Sequence, residues 1–438
     1  MKNIGKKVSL VIGSVFFALV ISELFLRVVL PKDPNQMRYY YVKDPQAGFD
    51  IAVNVPTEKH SCGQSTYDTW SNELGCFDAP YEGEEEFALL VGDSFSWGCA
   101  PFQTKYGTLV EKFLDYRILK CGVGGYGTKQ EFFKTKKIIE KIHKKPRLII
   151  LGYFMNDMTD DGAFPKRTVL DGYVISYIKY NKNELCQTEE IPEEELKKMY
   201  QNYRNYGVAF LPHDAKTRVK FWIAKRSKLY NLLKKSHLLR AFGQQVGLTD
   251  IQPTETHRIW PETAPQADSQ QEINSKKSLQ TSPYIPIKKD KCLGRLWNDH
   301  LENLQNIVTL AKENSAELLI VIIPTKEQVY DFLRKGGDSK EYDWTLPNTI
   351  LGQFCREESL HCLDLLASFR DYADQSPREH LDSLKDFYWD NDWHWNIRGN
   401  RLAGLLVSEF IIRENVLEVK DRVAKLKTIE KELKSFKN

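Results

Sequence analysis

The sequence carries little net charge. Its 438 residues include 62 basic and 59 acidic side chains, which leaves a formal charge of +3. Because a nucleic-acid partner usually needs a strongly basic face, this balance argues against one. No Cys-x-x-Cys pair or histidine cluster has the spacing of zinc ligands. We therefore expect no metal and no cofactor.

Two familiar catalytic and nucleotide-binding signatures are also missing. The glycine-rich loop from Gly122 to Gly127 does not end in Gly-Lys-Ser/Thr, which argues against a phosphate-binding P-loop. No Gly-x-Ser-x-Gly string surrounds Ser94, so the nucleophile elbow of that pattern does not apply.

The first 31 residues form a distinct unit. Three lysines precede an apolar run from Val8 to Leu30, which Glu23 and Arg27 interrupt. This run is long enough to cross a bilayer, which takes about 20 residues. Since no small-x-small cleavage pattern follows, we predict an uncleaved signal-anchor helix with a cytoplasmic N-terminus. A cleaved signal peptide and a buried core helix are the alternatives. The signal-anchor and the cleaved signal peptide both place the rest of the chain in the periplasm or at the cell surface.

Four short blocks along the chain carry candidate catalytic side chains. An apolar strand from Ala88 runs into Gly92-Asp93-Ser94, which places a serine hydroxyl at the carboxyl edge of a sheet, where ligands bind in open α/β folds. The other blocks are the loop 122–127, the strand 147–155 with the Asn156-Asp157 pair after it, and Asp392-Trp393-His394.

These blocks resemble, in content and order, the signature blocks of the SGNH (GDSL-like) hydrolase superfamily. The resemblance covers about residues 86–160 and 295–412. It implies an α/β fold of three αβα layers with a flavodoxin-like, mostly parallel sheet. The helical insertion and the N-terminal membrane helix are predicted from the residues outside the resemblance. The resemblance also implies a role for each block: Ser94 as nucleophile, His394 as general base, Asp392 as its orienting carboxylate, and an oxyanion hole from Ser94 N–H, Gly125 N–H and the Asn156 amide.

Elementary chemistry agrees with those roles. A serine hydroxyl is a weak nucleophile until a base takes its proton. A carboxylate on the other ring nitrogen of the base sets its tautomer. Each oxyanion donor lowers the barrier by roughly 3–4 kcal/mol, and a backbone N–H at a glycine can approach closely because no Cβ intrudes.

The sequence departs from the common pattern at two points. Lys120 stands where the second block often has asparagine. Asn391 stands three residues before His394, where aspartate is common, and Asp392 stands two before it. The resulting Asp-x-His spacing resembles the alginate O-acetyltransferase-like branch, which implies carbohydrate O-acyl chemistry. Asp390 is an alternative partner for His394.

The chain divides by composition. We predict a signal-anchor at 1–31, a polar leading segment at 32–85, core halves at 86–160 and 291–415, an insertion at 161–248, a flexible linker at 249–290 and a charged C-terminal helix at 416–438. The insertion is expected to pack on the core, to cap the site, or to contact an anionic lipid or polymer. The whole chain has eight cysteines, which allow 105 disulfide connectivities.

The sequence therefore predicts an exported serine hydrolase or acyltransferase acting on an O-acyl, chiefly acetyl, ester of a cell-envelope or extracellular carbohydrate. The expected partners are that substrate, the membrane through the N-terminal helix, and a membrane acyltransferase. A non-catalytic polysaccharide-binding or assembly subunit and a lipid-directed esterase remain the alternatives. The motifs do not choose between hydrolysis and transfer, because the two reactions share every residue up to the last step.

Overall fold

The computed structural model describes most of the chain outside its central insertion. The described residues are 2–29, 37, 39–63, 65–162, 164–165, 167–170, 172–176, 178–180, 188–206, 214–230, 291–334, 343–390 and 392–436. They belong to two compact units, one from residues 1–34 and 191–265 and the other from residues 35–190 and 266–438. The linker predicted at 249–290 lies outside the described residues.

The secondary structure alternates between strands and helices. The strands are β1 Tyr41–Asp44, β2 Gly48–Ile51, β3 Glu58–Cys62, β4 Ser65–Thr69, β5 Ala88–Gly92, β6 Ile118–Lys120, β7 Leu148–Tyr153, β8 Arg167–Leu170, β9 Tyr173–Ser176, β10 Ile178–Tyr180, β11 Thr188–Glu190, β12 Glu317–Ile322 and β13 His361–Asp364. The helices are α1 Lys2–Val29, α2 Ser94–Trp97, α3 Tyr106–Leu114, α4 Thr128–Ile142, α5 Asn156–Gly162, α6 Glu193–Tyr206, α7 Ala215–Arg226, α8 Lys291–Glu313, α9 Lys326–Val329, α10 Leu346–Glu357, α11 Leu366–Tyr372, α12 Ile397–Arg413 and α13 Arg422–Lys434.

A five-stranded parallel sheet forms the centre of the larger unit. Its order is β13-β12-β7-β5-β6, with parallel pairing throughout. Numbered along the chain, these strands run 2-1-3-4-5, the doubly wound flavodoxin-like order, in which ligands bind at the carboxyl edge near β5 and β7. The register aligns Gly92 of β5 with Gly152 of β7, so the loops after these two strands leave the sheet side by side.

Helices cover both faces of this sheet. Alternate strand residues point to opposite faces. Leu90 and Val321 pack in one apolar cluster with α3, α12 and α13, whereas Leu89 and Ile320 pack in a second cluster with α4, α8 and α10. The central strands are apolar at nearly every position because both of their faces are buried. The larger unit is therefore a mixed α/β fold with three layers.

The leading segment forms two antiparallel hairpins, β1–β2 and β3–β4. Buried ion pairs attach this segment to the core. Lys134 of α4 lies 2.7 Å from Asp50, and Lys120 of β6 lies 2.9 Å from Asp78. Lys120, the departure from the common second block, is thus a buried structural cation.

Disulfides also connect the leading segment to the core. They join Cys62 to Cys99 and Cys76 to Cys121, and a further bond joins Cys355 of α10 to Cys362 of β13. Cys99 follows Ser94 by five residues, and Cys121 directly precedes the loop 122–127. The first two bonds therefore end beside two of the four predicted catalytic blocks.

The smaller unit contains α1, α6 and α7. Glu23 of α1 accepts hydrogen bonds from Ser227 Oγ at 2.8 Å and from the backbone N–H groups of Lys228 and Leu229. Within the described residues, no helix combines the length and the apolar character needed to cross a membrane. The structure therefore does not support the membrane helix predicted at residues 1–31.

Candidate active site

Ser94 lies where β5 turns into the short helix α2. Asp93 caps this helix, since its Oδ1 accepts the Phe95 N–H at 2.9 Å. Gly92 has φ +141°, and a Cβ there would lie 2.3 Å from Ser96 Oγ and 2.6 Å from the Gly152 carbonyl oxygen. Only glycine fits this close approach of two strands. The turn places the Ser94 hydroxyl at the carboxyl edge of the sheet.

The three residues predicted for acyl transfer lie in one hydrogen-bonded chain. Ser94 Oγ is 2.7 Å from His394 Nε2, and His394 Nδ1 is 2.6 Å from Asp392 Oδ1. The His394 backbone N–H also donates to the same carboxylate oxygen at 3.0 Å. This arrangement lets Nε2 accept the serine proton while Asp392 stabilises the imidazolium that forms.

Asp390 is not the partner of His394. Its Oδ1 accepts the Leu381 N–H at 2.8 Å, and its carboxylate lies 3.3 Å from the ring of His380. The Asp-x-His spacing thus identifies Asp392 as the carboxylate that contacts the ring of His394.

The loop that carries this pair is supported from two sides. Lys326, at the start of α9, donates to the carbonyl oxygens of Asp390 and Asp392 at 2.9 and 3.2 Å. Beneath the histidine, the Phe95 ring packs 5.1 Å from the His394 ring and 5.0 Å from Trp395. Sequence reasoning missed Lys326, and its only sequence signal is its position just after the carboxyl end of β12. The His394 side chain is 19% exposed, so it lines the site rather than lying buried in the interior.

The glycine-rich loop passes directly beside Ser94. A Cβ on Gly124 would lie 3.9 Å from Ser94 Cβ and 3.4 Å from Tyr41 Oη. Gly125 has φ +80°, and Arg167 donates through Nη1 to its carbonyl oxygen at 2.7 Å. The positive φ favours glycine at this position, and a Cβ there would also displace the Arg167 guanidinium. Arg167, which lies in the predicted insertion, and Tyr41 are site neighbours that the motifs did not indicate.

Asn156 begins α5 at the same edge of the sheet. One of its amide N–H groups donates to Asp160 Oδ2 at 3.0 Å, and its Oδ1 is buried without a hydrogen-bond partner. The predicted oxyanion donor is thus placed near the site by the alignment of β5 with β7, but its amide nitrogen contacts Asp160.

Buried carboxyl groups lie behind the nucleophile. Burial raises the pKa of Asp93 to about 6, against the opposing effects of the Phe95 N–H and of His394. Burial also raises the pKa of Glu131 and of Asp157 well above their ordinary values, and neighbouring carboxyl groups add to the effect. These groups carry protons at pH values where exposed carboxyls are ionised.

One cluster in the described part of the chain has metal-ligand spacing. The sulfur atoms of Cys62 and Cys99 and a ring nitrogen of His394 lie within 4.8 Å of one another. Zinc binds cysteine as thiolate, and here the two sulfurs are bonded to each other. The donor set therefore does not fit a metal while the disulfide is formed.

Comparisons with known proteins find distant structural likenesses that carry no argument about this chain. No protein-family model matches the chain, and no curated protein matches it. Among solved structures, an acetyl xylan esterase aligns with 10% identity and a TM-score of 0.33, over 73% of this chain and 97% of the other. An alpha/beta hydrolase enzyme from the metagenome of Lake Arreo, Spain, aligns with 8% identity and a TM-score of 0.32, over 76% and 96%. Neither likeness indicates a substrate for this chain.

Proposed function

We propose that this protein is a serine hydrolase or acyltransferase of the SGNH type that acts on an O-acyl ester. The observation that carries the proposal is the hydrogen-bonded chain from Ser94 Oγ through His394 to Asp392 at 2.7 and 2.6 Å. The flavodoxin-like strand order and the glycine loop beside Ser94 add to it.

The proposed reaction has two halves. Ser94 Oγ attacks the acyl carbonyl carbon while its proton moves to His394 Nε2, and the carbonyl oxygen becomes an oxyanion. The oxyanion then collapses, the bond to the leaving alkoxide breaks, and the alkoxide takes the proton from Nε2. In the second half, water or an acceptor hydroxyl attacks the acyl-serine and gives its proton to Nε2. The oxyanion collapses, the acyl bond to Ser94 Oγ breaks, and Oγ takes the proton back from Nε2.

The oxyanion needs preorganised donors on the side of Ser94 that faces the glycine loop. We assign this role to the N–H groups of Ser94 and Gly125. We also assign it to the Asn156 side-chain amide, which would release Asp160 and donate an N–H to the oxyanion when substrate binds. Catalytic hydrogen bonds often form fully only in the complex with substrate.

The finer proposal is an acetyl ester on a carbohydrate, processed outside the cytoplasm. The Asp-x-His spacing supports carbohydrate O-acyl chemistry through the family resemblance, and Trp393 beside the base is an aromatic side chain of the kind that stacks on sugars. The disulfides support an oxidising compartment, where such bonds persist. Rates of hydrolysis of the acetyl, butyryl and octanoyl esters of p-nitrophenol test the acyl group, and release of acetate from an acetylated oligosaccharide tests the carbohydrate. A preference for long acyl chains would favour a lipid substrate instead.

The first test is activity-based labelling. Wild-type protein should react with a fluorophosphonate probe and hydrolyse p-nitrophenyl acetate, and Ser94→Ala should abolish labelling and lower kcat by at least about 10³-fold. Ser96→Ala is the matched control, because this serine lies on the same helix but contacts Tyr106 Oη at 2.9 Å. If wild type and Ser94→Ala are equally inert in hydrolysis and in acetyl transfer, the proposed function is wrong and a glycan-binding role becomes the better hypothesis.

A further inference from the structure

The β3–β4 hairpin lies outside the central sheet, but its tip contacts the loop of the catalytic base. Cys62 ends β3 and pairs with Ser65 across the turn. Its Sγ lies 3.9 Å from His394 Nδ1, the ring nitrogen that also contacts Asp392. No residue of this hairpin belongs to the four catalytic blocks, so its position at the base is a separate feature of the fold.

The next residue of the tip touches the same loop. Gly63 has φ +56°, and a Cβ there would lie 2.4 Å from the indole ring of Trp389. Trp389 in turn donates its backbone N–H to the His394 carbonyl oxygen at 3.2 Å. The hairpin tip therefore contacts the base loop both at the histidine ring and at the residue bonded to the histidine backbone.

The same hairpin is attached to the nucleophile segment. The Cys62–Cys99 disulfide joins its tip to the loop after α2, and both half-cystines are buried. In that loop, the Gly98 N–H donates to the Ser94 carbonyl oxygen at 3.0 Å, and Tyr67 of β4 donates through Oη to the Gly98 carbonyl at 3.5 Å. One covalent bond thus connects the segment that carries Ser94 to the hairpin that contacts His394.

We propose that the Cys62–Cys99 disulfide is a positioning element for the catalytic base. It fixes the hairpin tip against His394 and so fixes the separation between Nε2 and Ser94 Oγ. The proposal rests on the proposed function, since it concerns the geometry of the same Ser94–His394 pair. A displacement of about 1 Å at a reacting group costs on the order of 100-fold in rate, so loss of the bond should reduce catalysis without removing any group that takes part in it.

The proposal also makes the activity dependent on redox state. A dithiol reductant breaks the Cys62–Cys99 bond: each sulfur gains a hydrogen from the reductant, which closes to its own cyclic disulfide. The reduced sulfurs and His394 would then have metal-ligand spacing, so the assays should contain a chelator to separate repositioning from capture of a contaminating metal.

The experiment compares two double variants. Cys62→Ser/Cys99→Ser removes the bond at the site. Cys355→Ser/Cys362→Ser removes a bond between α10 and the edge strand β13, which two other strands separate from β5. We expect the first pair to lower kcat for p-nitrophenyl acetate by about 10- to 100-fold and to change the pH profile of kcat, and the control pair to keep wild-type kcat and profile.

Reducing the Cys62–Cys99 bond in folded wild-type protein tests the same proposal without depending on the folding of the double variant. Folded wild-type protein treated with dithiothreitol should lose activity in step with reduction of the Cys62–Cys99 bond, while near-ultraviolet circular dichroism reports that the fold persists. Alkylation and mass mapping of separate aliquots identify which cysteines are reduced at each time. The portion that is not alkylated should regain activity on reoxidation. Wild-type kcat and pH profile in the Cys62/Cys99 variant, or an equal loss in the control pair, would overturn the proposal while leaving the esterase function intact. A wild-type protein that is neither labelled by fluorophosphonate nor active would overturn both.

Discussion

Individual side chains at the site are distinguished by what they contact rather than by their type. Asp390 and Asp392 are both carboxylates within four residues of His394, yet only Asp392 contacts its ring, at 2.6 Å. Asp390 instead accepts from the Leu381 backbone and supports the loop. The two residues provide a matched pair for testing which carboxylate acts in catalysis.

Asp392→Asn should lower kcat by about 10³- to 10⁴-fold, because an amide cannot stabilise the imidazolium and favours the wrong tautomer of His394. Asp390→Asn should leave kcat near that of wild type. Steady-state hydrolysis of p-nitrophenyl acetate measures both variants. A larger loss in Asp390→Asn than in Asp392→Asn would mean that the base is oriented from the other side.

The sequence predicted the identity of the site residues more completely than it predicted their hydrogen bonds. Ser94, Asp392 and His394 were all predicted, and the structure places them in contact. The bond from the Asn156 amide to Asp160 and the contact of Arg167 with Gly125 were not predicted. Asn156 and Asp160 are neighbours on one helix, but which acceptor an amide chooses depends on side-chain rotamers that a motif does not encode.

Secondary-structure elements were predictable where their pattern is strong. The apolar runs at β5 and β7 predicted strands, and both lie inside the sheet. The hairpins of the leading segment were not predicted, because their alternation is weak: β3 carries no fully buried residue before Cys62. The structure defines them by their antiparallel ladders.

Close packing between α3 and α12 offers a test at this scale. Gly404 of α12 faces α3, and a Cβ there would lie 2.7 Å from Leu109 Cβ and 3.3 Å from the Tyr106 carbonyl oxygen. Gly404→Ala should therefore destabilise the protein by about 1–3 kcal/mol, because the helices must separate. Urea unfolding followed by circular dichroism measures the change.

Gly352 of α10 is the matched control for this variant. The nearest atom to its added Cβ is the Arg356 side-chain nitrogen at 3.5 Å, an ordinary contact. Gly352→Ala should stabilise the protein by about 0.5–1 kcal/mol, since alanine loses less backbone freedom in a helix. Equal effects of the two substitutions would show that helix propensity, not the α3–α12 contact, dominates at Gly404.

For the molecule as a whole, the buried carboxyls make stability depend on pH. Burial raises the pKa of Asp93 to about 6 in the folded protein, whereas an unfolded aspartate has a pKa of about 3.9. Below the unfolded value both states are protonated. As the pH rises toward 6, the unfolded chain releases its proton and the folded protein keeps it, so the free energy of unfolding falls. Glu131 and Asp157 shift in the same direction.

We expect wild-type protein to lose stability between pH 4 and 6 with a contribution from Asp93 of about 1 kcal/mol per pH unit. Asp93→Asn should remove that contribution, since an amide does not titrate and its Oδ1 can still accept the Phe95 N–H. Urea unfolding at pH 4.5, 5.5 and 6.5 measures the slope. Glu140→Gln is the control, because this acid on α4 is exposed, and an equal change of slope in both variants would contradict the role of burial.

The sequence by itself determined the local features: the apolar strands, the serine at the end of β5, the glycine loop beside it and the Asp-x-His spacing. Each is encoded within a few neighbouring residues, where steric and burial rules act directly. Only the tertiary structure decided three features. They are the contact between Ser94 and His394, which are 300 residues apart in the sequence, the choice of disulfide partners, and the position of the hairpin that joins nucleophile and base. These depend on which distant surfaces pack together, because the free energy of a long-range contact is set by all the side chains around it.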